Sequence, residues 1–205
     1  MAEPRPARLL WCMTAEMIGT FILVFFGCGA VHSAVLTDSL SGLWQVATVW
    51  GVAIMLAIYT VGAISGAHIN PAITLGLAAW RLFPLNRVAG YLVAQFVGAF
   101  LAAAALYTLY GPYLARLEVA HGVERGQPGS ELSAMCYGEY FPNPGVESTA
   151  YLAQVTEGFD AEKAFAAVPL STACLAEIVG TAILAFVVLA TTDPANRGGP
   201  RNLAP

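Results

Sequence analysis

Ser65-Gly66-Ala67-His68-Ile69-Asn70-Pro71-Ala72 falls where one long apolar run has just ended and a second, much shorter one begins. Asparagine is a favoured helix N-cap. Proline is favoured at the first helical position, where its missing N–H would have no partner anyway. Asn70-Pro71 therefore starts a helix that continues through Ile73 to Trp80 and ends at Arg81 and Pro84. Three turns are roughly 18 Å at 1.5 Å per residue, against a hydrocarbon core of about 30 Å. Such a helix enters a membrane without crossing it, as the discontinuous helices of midplane transport sites do. Its N-terminus carries about half a positive charge. Non-helical backbone survives at that depth only inside protein or beside a wet cavity, so 65–69 must offer its carbonyls to something polar. Carbonyl acceptors beside the Asn70 amide donor suit a neutral hydroxylic permeant, and the positive helix end opposes cations, hydronium included. The bland alternative is a re-entrant helix that only plugs a bundle.

The rest of the chain agrees with a membrane setting. Of 205 residues 58% are hydrophobic and 11% charged, where a soluble domain carries about 25% charged residues. Runs 9–36, 43–63, 88–109 and 170–190 are long and apolar enough to span. The half-length run 70–82 lies between the second and third. The chain reads as an all-α polytopic membrane protein, with the first span retained rather than cleaved as a leader. Segment 111–167 is acidic and rich in glycine and proline. It reads as an extramembrane loop with short helices at 113–119 and 161–167. Arg5, Arg8, Arg81, Arg87, Arg197 and Arg201 fall on one side if the N-terminus is inside, which makes that side cytoplasmic. A net charge of −4 with no basic run points to no nucleic-acid partner. Cys12, Cys28, Cys136 and Cys174 lack CxxC or metal-ligand spacing, so neither a disulfide framework nor a metal is implied.

An internal echo supplies the symmetry. Ala15-Glu16-Met17-Ile18-Gly19-Thr20 recurs 161 residues on, from Glu16 to Glu177, as Ala176-Glu177-Ile178-Val179-Gly180-Thr181. The first copy opens an in-to-out helix and the second an out-to-in helix, the mark of an inverted repeat. The expected units are 1–110 (first repeat), 111–168 (outer connecting loop) and 169–205 (start of an incomplete second repeat). The same offset from Asn70 would place a second copy of its motif near position 231, past the 205 residues. Glu16 and Glu177 are intramembrane carboxylates, each costing on the order of 2.5–3.5 kcal/mol near the bilayer centre. They form either a proton relay or a brace accepting N–H groups of a non-helical segment. Their repeat-related placement, with no partner His or Lys at helical spacing, favours the brace.

Trp50, Ile54 and Ile58 form an i, i+4, i+8 stripe on the second span. It reads either as helix packing with an interfacial Trp50 or as the narrow wall of a pore. The His68 ring is expected to pack outward while its carbonyl faces inward. Gly19, Gly27, Gly29, Gly62, Gly66, Gly90, Gly98 and Gly180 are expected where backbones approach closely. No nucleophile–base pair, phosphate loop or dinucleotide fingerprint is present, so no enzyme and no cofactor are expected.

These residues resemble the major intrinsic protein family, the aquaporins and aquaglyceroporins, and more narrowly its glycerol-facilitating branch. Ser65–Ala72 with Ile73-Thr74 is similar to the family's first Asn-Pro-Ala box, Asn70-Pro71-Ala72. Ala15-Glu16 and Ala176-Glu177 are similar to its buried glutamates, and Thr48-Val49-Trp50-Gly51 to the region that gives glycerol channels an outer-constriction tryptophan. Gln95 to Phe100, Tyr140-Phe141-Pro142-Asn143-Pro144 and Thr192-Asp193 onward also fit. The resemblance implies a bundle of six spanning helices and two half-helices, of which this chain holds four and one. It implies a homotetramer with one pore per protomer in the inner or plasma membrane. It further implies passive diffusion of glycerol, other small neutral polyols and water. Asn70 would be a central donor, Gly66, Ala67 and His68 would supply pore carbonyls, and Trp50 would be the aromatic side of the filter. Ile54 and Ile69 would form the apolar wall, and Glu16 and Glu177 would brace the re-entrant loops. The second Asn-Pro-Ala box, the filter arginine after it and the last two spans lie outside these residues, so this length of chain is expected not to close a pore by itself. A water-selective channel and a non-conducting scaffold that binds a partner through its acidic loop are the alternatives.

Overall fold

The computed structural model describes residues 8–37, 39–40, 42–127, 129–140, 169–193, 195–196 and 198. Among these all regular structure is helical: α1 (Leu9–Thr37), α2 (Leu43–Ser65), α3 (Pro71–Ala79), α4 (Leu85–Ala120), α5 (Glu131–Ala134) and α6 (Leu170–Thr192). Helices α1, α2, α4 and α6 are long and apolar enough to cross a membrane. The nine residues of α3 reach only roughly 14 Å, half of a hydrocarbon core.

Helix α1 is the centre of the fold and packs along both α2 and α4. Lipid tails give apolar side chains no reason to leave lipid, so helices in a bilayer associate through close backbone approach. The glycines of this chain show how. A methyl at Gly98 of α4 would collide with the Met17 carbonyl of α1. One at Gly19 would strike Ile69 Cγ2 at 2.7 Å and Val61 Cγ2 at 2.8 Å, and one at Gly90 would press on Met13 Sδ at 3.1 Å. Ala15, Ala57, Val61 and Ile69 form the buried apolar core beside Gly19. Gly180 does not share this role. Nothing lies within 4 Å of its Cβ position, because α6 touches only α3 among the described elements.

The third span departs from expectation. It does not stop at 109 but runs unbroken through Gly111-Pro112 to Ala120, and the separate helix at 113–119 is its last turns. Proline removes one helical hydrogen bond and normally ends a helix. Here an i, i+4 stripe carries the pattern past it: Leu106 and Leu114 are buried, and Glu118 is 8% exposed. Glu118 accepts a bidentate pair from Arg125, Nε to Oε1 at 2.9 Å and Nη2 to Oε2 at 2.8 Å. Arg125 also donates Nη1 to the Tyr107 hydroxyl at 2.9 Å and stacks over that ring. These partners hold the Arg125 proton more firmly than usual. The following segment folds back, so that Tyr137 meets the His32 ring edge-on at 4.5 Å. Burial pushes the neighbouring Cys136 thiol up to about 12. The expected helix at 161–167 lies outside the described residues.

The Gly98 contact yields a test. Gly98→Ala sets a methyl against backbone, which cannot swing aside, and overpacking of this kind costs about 1–3 kcal/mol. Gly111→Ala has open space within 4 Å and should be neutral or gain up to about 1 kcal/mol in a helix. Detergent unfolding midpoints should separate the two; equal midpoints would show that α1 and α4 are not held by this approach.

Candidate functional site

The site is the turn between α2 and α3, and α1 organises it. Glu16 is fully buried, and its carboxylate takes four hydrogen bonds, one for each acceptor site. Oε1 accepts from Ser65 Oγ at 2.7 Å and from the His68 N–H at 2.9 Å. Oε2 accepts from the Ile69 N–H at 2.7 Å and from Gln95 Nε2 at 2.7 Å. Hydrogen bonds to a carboxylate contribute about 1.5–3 kcal/mol each, which offsets the cost of placing an acid among apolar helices.

The turn needs that anchor because its backbone is strained. Gly66 ends α2 in the left-handed region with φ 87°, and its N–H reaches the Gly62 carbonyl. Ala67 at φ 49° and Ile69 at φ 41° share that region without being glycine, at roughly 1–3 kcal/mol each. The result is a one-sided loop. Ala67 N–H goes to Ser65 Oγ at 3.0 Å, and the next two N–H groups go to Glu16. Among the described residues, no hydrogen bond ends on the Gly66, Ala67 or His68 carbonyl oxygens. The Ser65 carbonyl is taken by the buried Tyr91 hydroxyl at 2.8 Å.

Asn70 caps α3 with extended backbone, and Oδ1 accepts the Ala72 N–H at 2.7 Å and the Ile73 N–H at 3.3 Å. That assignment fixes the amide: the oxygen is consumed by the helix, and the Nδ2 donors have no partner among the described residues. Pro71 sits at the first helical position, where no N–H is needed. The His68 ring packs away from the turn against Phe83 and Tyr91, at 4.6 and 4.9 Å between centroids. Its Nδ1 lies 3.1 Å from Thr74 Oγ1, which also accepts from Gln95 Nε2 at 3.0 Å.

One expected wall residue, Ile69, lies in the core of the described bundle. Ile69 is 6% exposed and its side chain lies in the core over Gly19. With both its N–H and its neighbour's directed at Glu16, its side chain falls between α1 and α2 and lines no open surface. Glu177 is exposed, not buried, since α6 is unburied along its length and no described loop approaches it. Trp50 and Ile54 are half-buried on α2, with the Trp50 indole against Gly27 of α1. The other tryptophans, Trp11, Trp44 and Trp80, are 64–73% exposed; Trp50 faces the bundle, unlike an interfacial anchor. Gln95, Thr74 and Tyr91 complete the brace, a role that the sequence assigns to none of them. Gln95 is the one carboxamide in run 88–109, and that isolation was the available signal. No group of three or more His, Cys, Asp or Glu side chains suited to a metal occurs among the described residues.

Known proteins are similar to this chain. The profile of the Major intrinsic protein family matches residues 5–205. A glycerol uptake facilitator protein of Pseudomonas aeruginosa is 36% identical over 205 residues, all of this chain and 64% of the relative. A propanediol uptake facilitator of Salmonella typhimurium is 36% identical over 192 residues, 93% of this chain and 64% of the relative. The chain thus spans just under two thirds of the length of these relatives. The X-ray structure of the aquaglyceroporin from Plasmodium falciparum superposes with a TM-score of 0.51 at 32% identity, over 56% of this chain and 47% of that one.

The brace should be the most sensitive part of the site. Glu16→Gln keeps one acceptor oxygen for four donors. Gln95 can flip its amide to adapt, but the His68 and Ile69 N–H groups cannot, and an unpaired buried donor costs about 1–3 kcal/mol. Asn70→Ala removes an N-cap at about 1 kcal/mol. Thermal unfolding in detergent should therefore fall further for Glu16→Gln than for Asn70→Ala; the reverse order would remove Glu16 from its organising place.

Proposed function

This chain belongs to the major intrinsic protein family, and from that premise we propose that the complete protein is a passive channel for glycerol and other small neutral polyols, with water. The observation that carries the reading is the one-sidedness of the turn. Its N–H groups are consumed within the protein, whereas the Gly66, Ala67 and His68 carbonyls and the Asn70 Nδ2 donors are not. A row of acceptors ending at a donor matches a hydroxyl group, which both accepts and donates. Each hydroxyl of a polyol can exchange water for this row, while Trp50 and Ile54 on α2 face its carbon chain.

No covalent chemistry and no energy coupling are required of these residues. The positive end of α3 at mid-membrane opposes cations and hydronium, which suits a neutral permeant. In this reading the N-terminus is cytoplasmic and the protein sits in the cell membrane as a homotetramer, each protomer with its own pore. Units 1–110 and 169–205 belong to inverted repeats joined by 111–168. Relatives bearing the names glycerol uptake facilitator and propanediol uptake facilitator support the polyol class.

The test is flux through the complete protein in proteoliposomes. Stopped-flow light scattering should show fast glycerol re-swelling, and Trp50→Ala should raise the ribitol-to-glycerol permeability ratio several-fold. Fast water flux with glycerol no faster than in empty liposomes would replace the polyol reading with a water-selective one. No flux of either, with the 111–167 segment retaining a protein partner on a column, would favour a scaffold.

A further inference from the structure

We infer that Gly27 of α1 is a specificity-positioning residue: its bare Cα is the seat of the Trp50 indole and sets how far that ring projects from α1. The inference rests on the reading above that Trp50 borders the constriction. A Cβ built on Gly27 would lie 2.5 Å from Trp50 Cδ2, 2.5 Å from Cε3 and 2.6 Å from Cε2. Three bonded ring atoms at nearly one distance place that point over the face of the indole. The ring therefore lies flat on the glycine. Carbon atoms rest at about 3.5–4.0 Å, so a methyl at Gly27 would displace the ring by about 1 Å.

The other tight glycines do something different. Gly19 meets the branch methyls of Val61 and Ile69, and Gly98 meets the Met17 backbone. Those are core and helix–helix contacts. Gly27 instead meets the flat face of the Trp50 ring. Trp50 is half-buried, so one side of the ring is spent on α1 and the remainder is free to border a passage. Because the indole is rigid, it answers a push by moving as a plate away from α1. A small shift narrows the passage for a thick solute before it affects a thin one. Gly27→Ala should therefore discriminate by solute size.

The experiment compares wild type, Gly27→Ala, Trp50→Ala and the double variant of the complete protein in proteoliposomes, with water, glycerol and ribitol as probes. Gly27→Ala should lower the ribitol-to-glycerol ratio several-fold with water flux least affected. The double variant should match Trp50→Ala, because no ring remains to be pushed. An unchanged ratio in Gly27→Ala, or a double variant shifted from Trp50→Ala by the factor that separates Gly27→Ala from wild type, overturns the inference. Trp50→Ala with an unaltered ratio would instead remove Trp50 from the constriction, a separate failure belonging to the channel reading. Should Gly27→Ala fail to assemble, Gly27→Ala combined with Trp50→Phe provides the second arm. Restored assembly by the smaller ring supports the seat, and continued failure places the defect in α1 packing and overturns it.

Discussion

A carboxylate buried among apolar helices has to be matched donor for donor, and the Glu16 side chain is where this chain meets that demand. Its four partners come from the end of α2, from the turn after it and from α4. One residue on α1 thereby ties together three parts of the chain that lie 49 to 79 positions away. The strained turn and the buried acid are each unfavourable alone. Left-handed Ala67 and Ile69 present consecutive N–H groups to one point, and only an acceptor of high capacity at that point makes such a turn stable. The same geometry leaves the Gly66, Ala67 and His68 carbonyls without a hydrogen-bond partner among the described residues, and the proposed permeation path uses those acceptors. Structural need and the proposed transport chemistry are thus two sides of one backbone ribbon.

Bringing Glu16 within reach of the turn requires helices closer than side chains usually permit. Gly98 admits the Met17 backbone and Gly19 admits Ile69 and Val61. These approaches lie one and three residues after Glu16 on α1. Close packing does in lipid what hydrophobic burial does in water. Over Gly19 the Ile69 side chain lies in the core while its N–H reaches Glu16.

Local signals failed where a tertiary partner intervened. Gly111-Pro112 is a helix-stopping pair by propensity, yet α4 continues because Leu114 and Glu118 keep the stripe begun by Leu106, and Arg125 returns to secure it. The brace partners Gln95, Thr74 and Tyr91 carry no local signal of a bracing role, even where Thr74 and Gln95 fall in family-like stretches; each is made specific by what faces it. The local sequence of Glu177 copies that of Glu16, but no described segment faces it, and it stands exposed.

The sequence by itself determined the class of the protein, the number of spanning runs and the start of the half-helix. Those follow from properties within a few residues: apolar length against membrane thickness, and an asparagine–proline pair whose capping chemistry is local. Tertiary structure alone decided which atoms of the turn are consumed and which remain, where Ile69 points, how far α4 extends and what the Trp50 ring rests on. Each depends on contacts between residues distant in the chain, where a single carboxylate or an absent methyl selects one arrangement from several that local preference allows.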